Sequence, residues 1–297
     1  MPFILTLVSS DKPLCAGHLA GMERFAESQG IDLSKAPLWL APHKAAEIGL
    51  STCLNPGQMA QLRDALHADK IDVFCSPAKN RRKKLLLADM DSTIVDSETL
   101  DELAGHIGIK DKVAAITARA MNGEIEYQAS LKERVALLKN LPEEALKQTL
   151  EATRISSGAK TVVKTMRKHG ALCVLVSSGF TFFTASIAGQ CGFSQHHGNV
   201  LEIKNGKLTG KVHEPILDKN AKLSYLHHYK RNLDLGKEDT LAIGDGANDL
   251  PMLEAAGLGV GYHPKPVLQA ALQNCIIHGN LAALLYVQGY REEEISA

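Results

Sequence analysis

Two aspartates separated by one residue open the stretch Asp89-Met90-Asp91-Ser92-Thr93. Carboxylates at i and i+2 in a loop leaving a strand can address one substrate from two directions, one as nucleophile and one as proton donor. Taken alone, the pair also describes a solvated turn or a calcium-type loop. A second cluster, Gly244-Asp245-Gly246-Ala247-Asn248-Asp249, adds two carboxylates among glycines that permit a tight backbone turn. By itself it reads equally as a turn and helix start capped by Asp249. Four carboxylates at one place would repel one another unless a cation sat between them. Few hard oxygen ligands, with room left for water and phosphate oxygens, suit magnesium. Between the clusters, Ser177-Ser178-Gly179-Phe180 leads into a helix, so a hydroxyl and free backbone N–H groups would face an anion; otherwise the serine is a helix cap. Lys222, in Asp218-Lys219-Asn220-Ala221-Lys222, begins a further helix and on its own would be a solvated surface lysine.

Each of the first three clusters follows an apolar run that reads as a strand: Leu85 to Ala88, Ala171 to Val176 and Thr240 to Ile243. Helical segments lie between these runs, the order of a parallel α/β sheet. In open sheets of this kind ligands bind beyond the carboxyl ends of the strands, where the clusters would converge. From about Ser97 to Ser157 the pattern is helical with no strand of its own, which predicts a cap over the site. Two short β-like runs within Asn199 to Val212 flank Asn205-Gly206, a hairpin signal.

The first eighty residues have a different order. Phe3 to Val8 reads as a strand and Cys15 to Gln29 as a helix with Leu19, Met22, Phe25 and Ala26 on one face; Pro37 to Ala41 and Glu47 to Leu54 read as strands. Pro56 to Ala68 reads as a helix with proline in its first turn, and Ile71 to Cys75 as a strand. This β-α-β-β-α-β order predicts a small α+β domain over residues 1–80, followed by a second domain over 81–297. The basic run Lys79-Asn80-Arg81-Arg82-Lys83-Lys84 reads as the exposed linker between them, because no aromatic residues interleave with it.

Composition narrows the partners. In 297 residues, Lys+Arg and Asp+Glu both number 33, so net charge exerts no pull toward nucleic acid or an anionic membrane, and a small soluble partner is expected. The six cysteines lack C-x-x-C or zinc spacing and read as reduced thiols. No apolar run approaches membrane-spanning length and the apolar opening lacks a basic leader, which predicts a cytoplasmic protein.

The ordered set Asp-x-Asp-Ser-Thr, Ser before Gly-Phe, a lysine, and Gly-Asp-Gly-x-Asn-Asp resembles the haloacid dehalogenase (HAD) superfamily. Within it, residues 85 to about 280 are similar to phosphoserine phosphatases through Asp89 to Thr93, Glu98, Thr117 to Gly123 and Ser130 to Val135. The resemblance implies a Rossmannoid α/β fold with a helical cap at about 97–157, and hydrolysis of O-phosphoserine, the last step of L-serine biosynthesis, through an aspartyl-phosphate. It implies Asp89 as nucleophile and Asp91 as acid and base. It also implies magnesium held by Asp89, the Asp91 carbonyl and Asp245. Ser177, Lys222 and Asn248 would bind the phosphate oxygens, with Asp249 orienting Lys222. Arg134 would take the substrate carboxylate, Glu98 its ammonium, and Met121 and Tyr127 would help close the site beside Gly179. Ser178 stands where these enzymes commonly have glycine and would narrow the approach to the backbone. The remaining alternatives are a HAD phosphatase or phosphotransferase acting on phosphothreonine, phosphohomoserine or a sugar phosphate, and a ligand-sensing protein without turnover. The first eighty residues resemble in topology an ACT-type regulatory module, with a dimerisation domain, and hence a homodimer, as the other reading; Asp11-Lys12-Pro13-Leu14 lacks the glycine such modules often carry there.

Overall fold

The structure is a computed structural model describing residues 2–33, 37–121 and 124–296. Its first strands and helices are β1 (Phe3–Ser9), α1 (Ala16–Ser28), β2 (Leu38–Ala41), β3 (Ala45–Leu50), α2 (Pro56–His67) and β4 (Ile71–Pro77). They form the expected β-α-β-β-α-β unit, a four-stranded antiparallel sheet in the order β2-β3-β1-β4. Local chemistry fixes the helix starts. Asn55 caps α2 by accepting from the Gln58 N–H at 2.9 Å while the Gln58 side chain accepts from the Asn55 N–H at 2.8 Å, and Pro56 occupies the first turn. Met59, Leu62 and Leu66 then turn one apolar face of α2 into the core that also takes Leu19, Met22 and Ala26 of α1. The strand expected at Glu47 to Leu54 begins two residues earlier and stops at Leu50, because the chain must leave the sheet before the α2 cap.

The second part comprises β5 (Leu85–Ala88), α3 (Thr99–Gly105), α4 (Lys110–Met121), α5 (Tyr127–Ala136), α6 (Glu144–Ala152), α7 (Ala159–Lys168), β6 (Leu172–Phe180), α8 (Thr181–Cys191) and β7 (Gln195–Asn199). There follow β8 (Leu201–Lys204), β9 (Lys207–Val212), α9 (Lys219–Asn232), β10 (Thr240–Gly244), α10 (Leu250–Ala255), β11 (Leu258–Tyr262), α11 (Pro266–Ala271), β12 (Cys275–Ile276) and α12 (Ala283–Val287). The parallel sheet has the order β12-β11-β10-β5-β6-β7. The three strands expected from sequence are its adjacent centre, with Ile243, Ala88 and Leu175 in register, so their carboxyl ends finish at one edge. All four residues of β5 are buried, as a parallel strand covered on both faces requires.

Helices α3 to α6 form the predicted cap. The hairpin β8-β9 joins it: the Asn140 N–H donates to Leu208 O, and Leu208 returns a bond to Leu141 O, both 2.9 Å. Among the described residues no helix is long and apolar enough to cross a membrane.

The basic run is exposed at Lys79, Asn80, Arg82 and Lys84, but it is anchored to the fold on either side. Arg81 pairs with Glu47 at 2.7 Å, Arg82 with Glu294 at 2.6 Å, and Lys83, only 6% exposed, donates to the carbonyls of Asn80 and Glu238 at 2.7 Å each. Long aliphatic stems can be buried when the charged head finds fixed acceptors. Nearby, β4 meets β12 edge to edge. Asn274 satisfies both backbone groups of Cys75, and the buried Asp72 carboxylate accepts from the N–H groups of Ile277, His278 and Gly279 at 2.8 to 3.3 Å. Asp72→Ala should therefore lower unfolding stability by about 2–3 kcal/mol in urea titration, because these amides are left facing an apolar methyl.

Candidate active site

Asp89 leaves β5 with its N–H donating to Ile243 O at 3.0 Å, so the sheet ladder itself fixes its position. Beneath it, Lys222 Nζ lies 2.6 Å from Asp89 Oδ1 and 2.6 Å from Asp249 Oδ1, all three side chains at most 5% exposed. Helix α9 presents Lys222 here because Asp218 caps its start, accepting from the Asn220 and Ala221 N–H groups. Burial alone would lower the lysine's affinity for its proton; the Asp249 and Asp89 charges more than offset this and raise it above the ordinary value. Gly244 makes the arrangement possible, since a Cβ there would stand 2.4 Å from the Asp249 carboxyl.

Asp91 is held from three sides. Its Oδ1 accepts from the Thr99 N–H (2.9 Å) and Thr99 Oγ1 (2.7 Å), and its Oδ2 from Ser177 Oγ (3.0 Å). Burial, then the charge of Glu98, pushes its pKa up to about 6 against the pull of these donors. A carboxyl poised in this range can both give and take a proton near neutrality. Gly179 keeps this contact open, because a Cβ there would lie 2.8 Å from Asp91 Oδ2.

Residues Ser177 to Phe180 end β6 and lead directly into α8 at Thr181, as expected; what the sequence did not mark is the bulge at Ser177 to Gly179, with pairing to β7 resuming at Phe180–Asn199. The bulge lifts backbone groups out of the ladder toward the site. The Ser178 carbonyl is fixed by Asn199 Nδ2 at 2.7 Å and Tyr127 Oη at 3.3 Å.

Asp89, Asp91, Glu98, Tyr127, Arg134, Ser177, Ser178, Gly179, Asp245 and Asn248 all line one cavity of about 540 Å³ between sheet edge and cap. Lys222 and Asp249 lie beneath its floor. The Met121 side chain, Asn122 and Gly123 fall outside the described residues. Arg134 is 8% exposed; it donates to Ser130 O and Thr117 Oγ1 and, among the described residues, makes no ion pair within 4.0 Å. Glu98 accepts from Ser92 Oγ at 2.8 Å and lies 3.8 Å from Lys265 Nζ.

Sequence reasoning missed Thr99 and Lys265. Lys265 Nζ stands 3.2 Å from Asp245 Oδ2. It lies in His263-Pro264-Lys265-Pro266, just past β11, a strand that the three recognised clusters left unmarked. Thr99 directly follows Glu98 and begins the first cap helix.

Asp89, Asp245 and Asp249 each offer an oxygen within 4.8 Å of the other two. Burial and then the Asp249 charge hold the Asp89 carboxyl well above its usual range despite Lys222, and burial pushes Asp245 up to about 6 despite Lys265. Hard oxygens short of positive charge fit a divalent metal ion.

A family model described as haloacid dehalogenase-like hydrolase matches residues 86–254. Over 219 residues the chain is 39% identical to a phosphoserine phosphatase of Archaeoglobus fulgidus, covering 73% of this chain and 64% of that protein. It is 32% identical over 302 residues to a phosphoserine phosphatase of Mycobacterium tuberculosis, covering 100% of this chain and 74% of that one. The crystal structure of a probable phosphoserine phosphatase from Vibrio cholerae, in unliganded form, superposes with a TM-score of 0.76 at 28% identity, covering 99% of this chain and 88% of that one. The chain thus spans less than two thirds of the length of the Archaeoglobus relative. The matched stretch runs from β5 into α10 and contains both acidic clusters, the cap and the bulge in β6: the chain belongs to the haloacid dehalogenase-like hydrolase family.

Proposed function

We propose that this chain is a cytoplasmic, magnesium-dependent phosphoserine phosphatase acting at the last step of L-serine biosynthesis. The observation that carries the reading is Arg134, a buried guanidinium with no carboxylate partner among the described residues, sharing the Asp89–Asp91 cavity with Glu98. A planar fork suits a substrate carboxylate, and Glu98 supplies the opposite charge for an ammonium. Cavity side chains of both signs, next to a nucleophile for phosphorus, fit a phosphorylated amino acid better than a sugar phosphate. Relatives that bear the name phosphoserine phosphatase support this choice. All six cysteines are free thiols, which suits a reducing compartment.

In the proposed reaction an Asp89 oxygen attacks phosphorus, forming the aspartyl-phosphate as the bond from phosphorus to the serine oxygen breaks and Asp91 gives that oxygen its proton. Water then attacks phosphorus, Asp91 takes the water's proton, and the Asp89–phosphorus bond breaks to release phosphate. Ser177 and Asn248 face the phosphoryl oxygens from the cavity wall. Lys222 holds Asp89 from below and brings positive charge to the same centre, and Asp249 fixes Lys222. Thr99 and Ser177 aim Asp91. The side chains of Asp89 and Asp245 with the Asp91 backbone carbonyl would hold magnesium, which when bound neutralises charge between nucleophile and phosphoryl group. Tyr127, hydrogen-bonded to Ser178, joins cap to sheet on the substrate side. For residues 1–80 we propose an ACT-like regulatory or dimerisation role, supported by the β-α-β-β-α-β order alone.

Phosphate release from O-phospho-L-serine, O-phospho-L-threonine and sugar phosphates should show strong preference for the first, disappear with EDTA, return with magnesium, and be abolished in Asp89→Asn. Preference for another ester would overturn the substrate while keeping the chemistry. Arg134→Ala should raise KM for phosphoserine about ten- to hundredfold, corresponding to the about 1.5–3 kcal/mol of a charged hydrogen bond, and leave phosphoethanolamine hydrolysis unchanged; equal losses on both esters would remove Arg134 from carboxylate binding.

A further inference from the structure

Cys53 and Cys75 are 22 residues apart in sequence, yet the fold brings their Sγ atoms to 3.0 Å, closer than two sulfurs in ordinary contact. Cys53 is half-buried in the loop between β3 and α2, whereas Cys75 is buried within β4. Both are held in place by the second part of the chain. Gln273 Nε2 donates to Cys53 Sγ at 3.2 Å and to Leu54 O at 2.7 Å, and Asn274 clamps the N–H and C=O of Cys75. Fixing two reacting groups face to face removes most of the entropic cost of joining them. Among the described residues no other two cysteines lie within hydrogen-bonding distance.

The two sulfurs also differ in character. The hydrogen-bonding contact with Cys75 holds the Cys53 thiol below its ordinary pKa with help from Gln273, although burial opposes this. Cys75 is raised by the same contact and by burial. The half-buried Cys53 sulfur is therefore the one that ionises more readily, and the buried Cys75 keeps its proton until it attacks.

We propose that Cys53 and Cys75 form a hydroperoxide-oxidisable dithiol that closes reversibly to a disulfide beside the β4–β12 junction. The Cys53 thiolate attacks one oxygen of hydrogen peroxide, the O–O bond breaks, and Cys53 becomes a sulfenic acid while the released hydroxide takes up the proton lost when Cys53 ionised. Cys75 sulfur then attacks the Cys53 sulfur, the S–O bond breaks, and the departing hydroxyl leaves as water with the Cys75 proton. Two thiols lose two electrons in all, and the peroxide is reduced to two waters. The closed pair would tie the loop ahead of α2 to β4 and withdraw the Cys53 acceptor from Gln273. Gln273 lies two residues beyond α11, the helix that starts just after Lys265.

The test uses the full chain, treated with stoichiometric hydrogen peroxide, and reads intact mass, thiol titration and peptide mapping. The expected result is a loss of about 2 Da for the two hydrogens removed, loss of two of the six thiols, a Cys53–Cys75 linked peptide, and full recovery with dithiothreitol. Cys53→Ser and Cys75→Ser should each abolish that product. Should Cys75→Ser fail to fold, Cys53→Ser at its half-buried loop position carries the test alone, with circular dichroism as the check on folding. Cys53 and Cys75 both remaining alkylatable, oxidation mapping to other cysteines, Cys53 stopping as a sulfinic acid with Cys75 still free, or an undiminished mass loss in Cys53→Ser would each overturn the proposal.

Discussion

The site depends on one buried ammonium. Lys222 lies 2.6 Å from both Asp89 and Asp249 with almost no exposure, and breaking such a set by removing one partner would leave an uncompensated charge in a medium that solvates it poorly. Hydrogen bonds in both directions make the three side chains one object: Asp249 fixes Lys222, Lys222 fixes Asp89, and the β5–β10 ladder fixes the backbone that carries Asp89. Positive charge at this point remains insufficient for the carboxylates around it. Burial and mutual repulsion hold Asp89 and Asp245 above their ordinary pKa, the electrostatic condition that a bound cation relieves.

Two places without a side chain are as consequential as the charged groups. At Gly244 a Cβ would occupy the space of the Asp249 carboxyl, and at Gly179 it would press on Asp91 and Ser177. In both cases a buried carboxylate of the site lies against backbone, where any larger residue would displace it. Asp91 and the Lys222–Asp249 pair are thus packed against backbone with no room for a further carbon, which keeps each group in one orientation.

The first eighty residues are not a free appendage. Their edge strand β4 is closed off by Asn274 and Asp72 against β12, the basic run is pinned at Arg81, Arg82 and Lys83, and Val8, Leu40, Ala45 and Phe74 share the larger apolar core with residues of α12. Covering β4 in this way removes one exposed sheet edge that would otherwise be open to pairing. The same contacts bring Gln273 against Cys53, so the junction also sets the local chemistry of two thiols.

Much of this was legible in the order of the residues. Apolar runs of four to six residues ending in polar clusters marked β5, β6 and β10, because a parallel strand buried on both faces leaves a continuous hydrophobic signature, and the same pattern located Asp89, Asp91 and Asp245 just past strand ends and Ser177 near the end of β6 before α8. Asn55, Pro56 and Asn205-Gly206 announced their cap and turn through local backbone chemistry. What the sequence could not determine were facts of distance between remote segments. Lys222 and Arg134 look like ordinary surface charges until α9 and the cap bury them, and Thr99 and Lys265 carry no motif that marks them. Lys83 was masked within a basic run that reads as solvated. Cys53 and Cys75, with no adjacent spacing to pair them, meet because β4 and the loop before α2 pack into one core, with Gln273 and Asn274 adding contacts from the second part of the chain. Local periodicity and turn chemistry are written in neighbouring residues; charge pairing, burial and sulfur contact arise between residues far apart in sequence, and only the packed tertiary structure decides them.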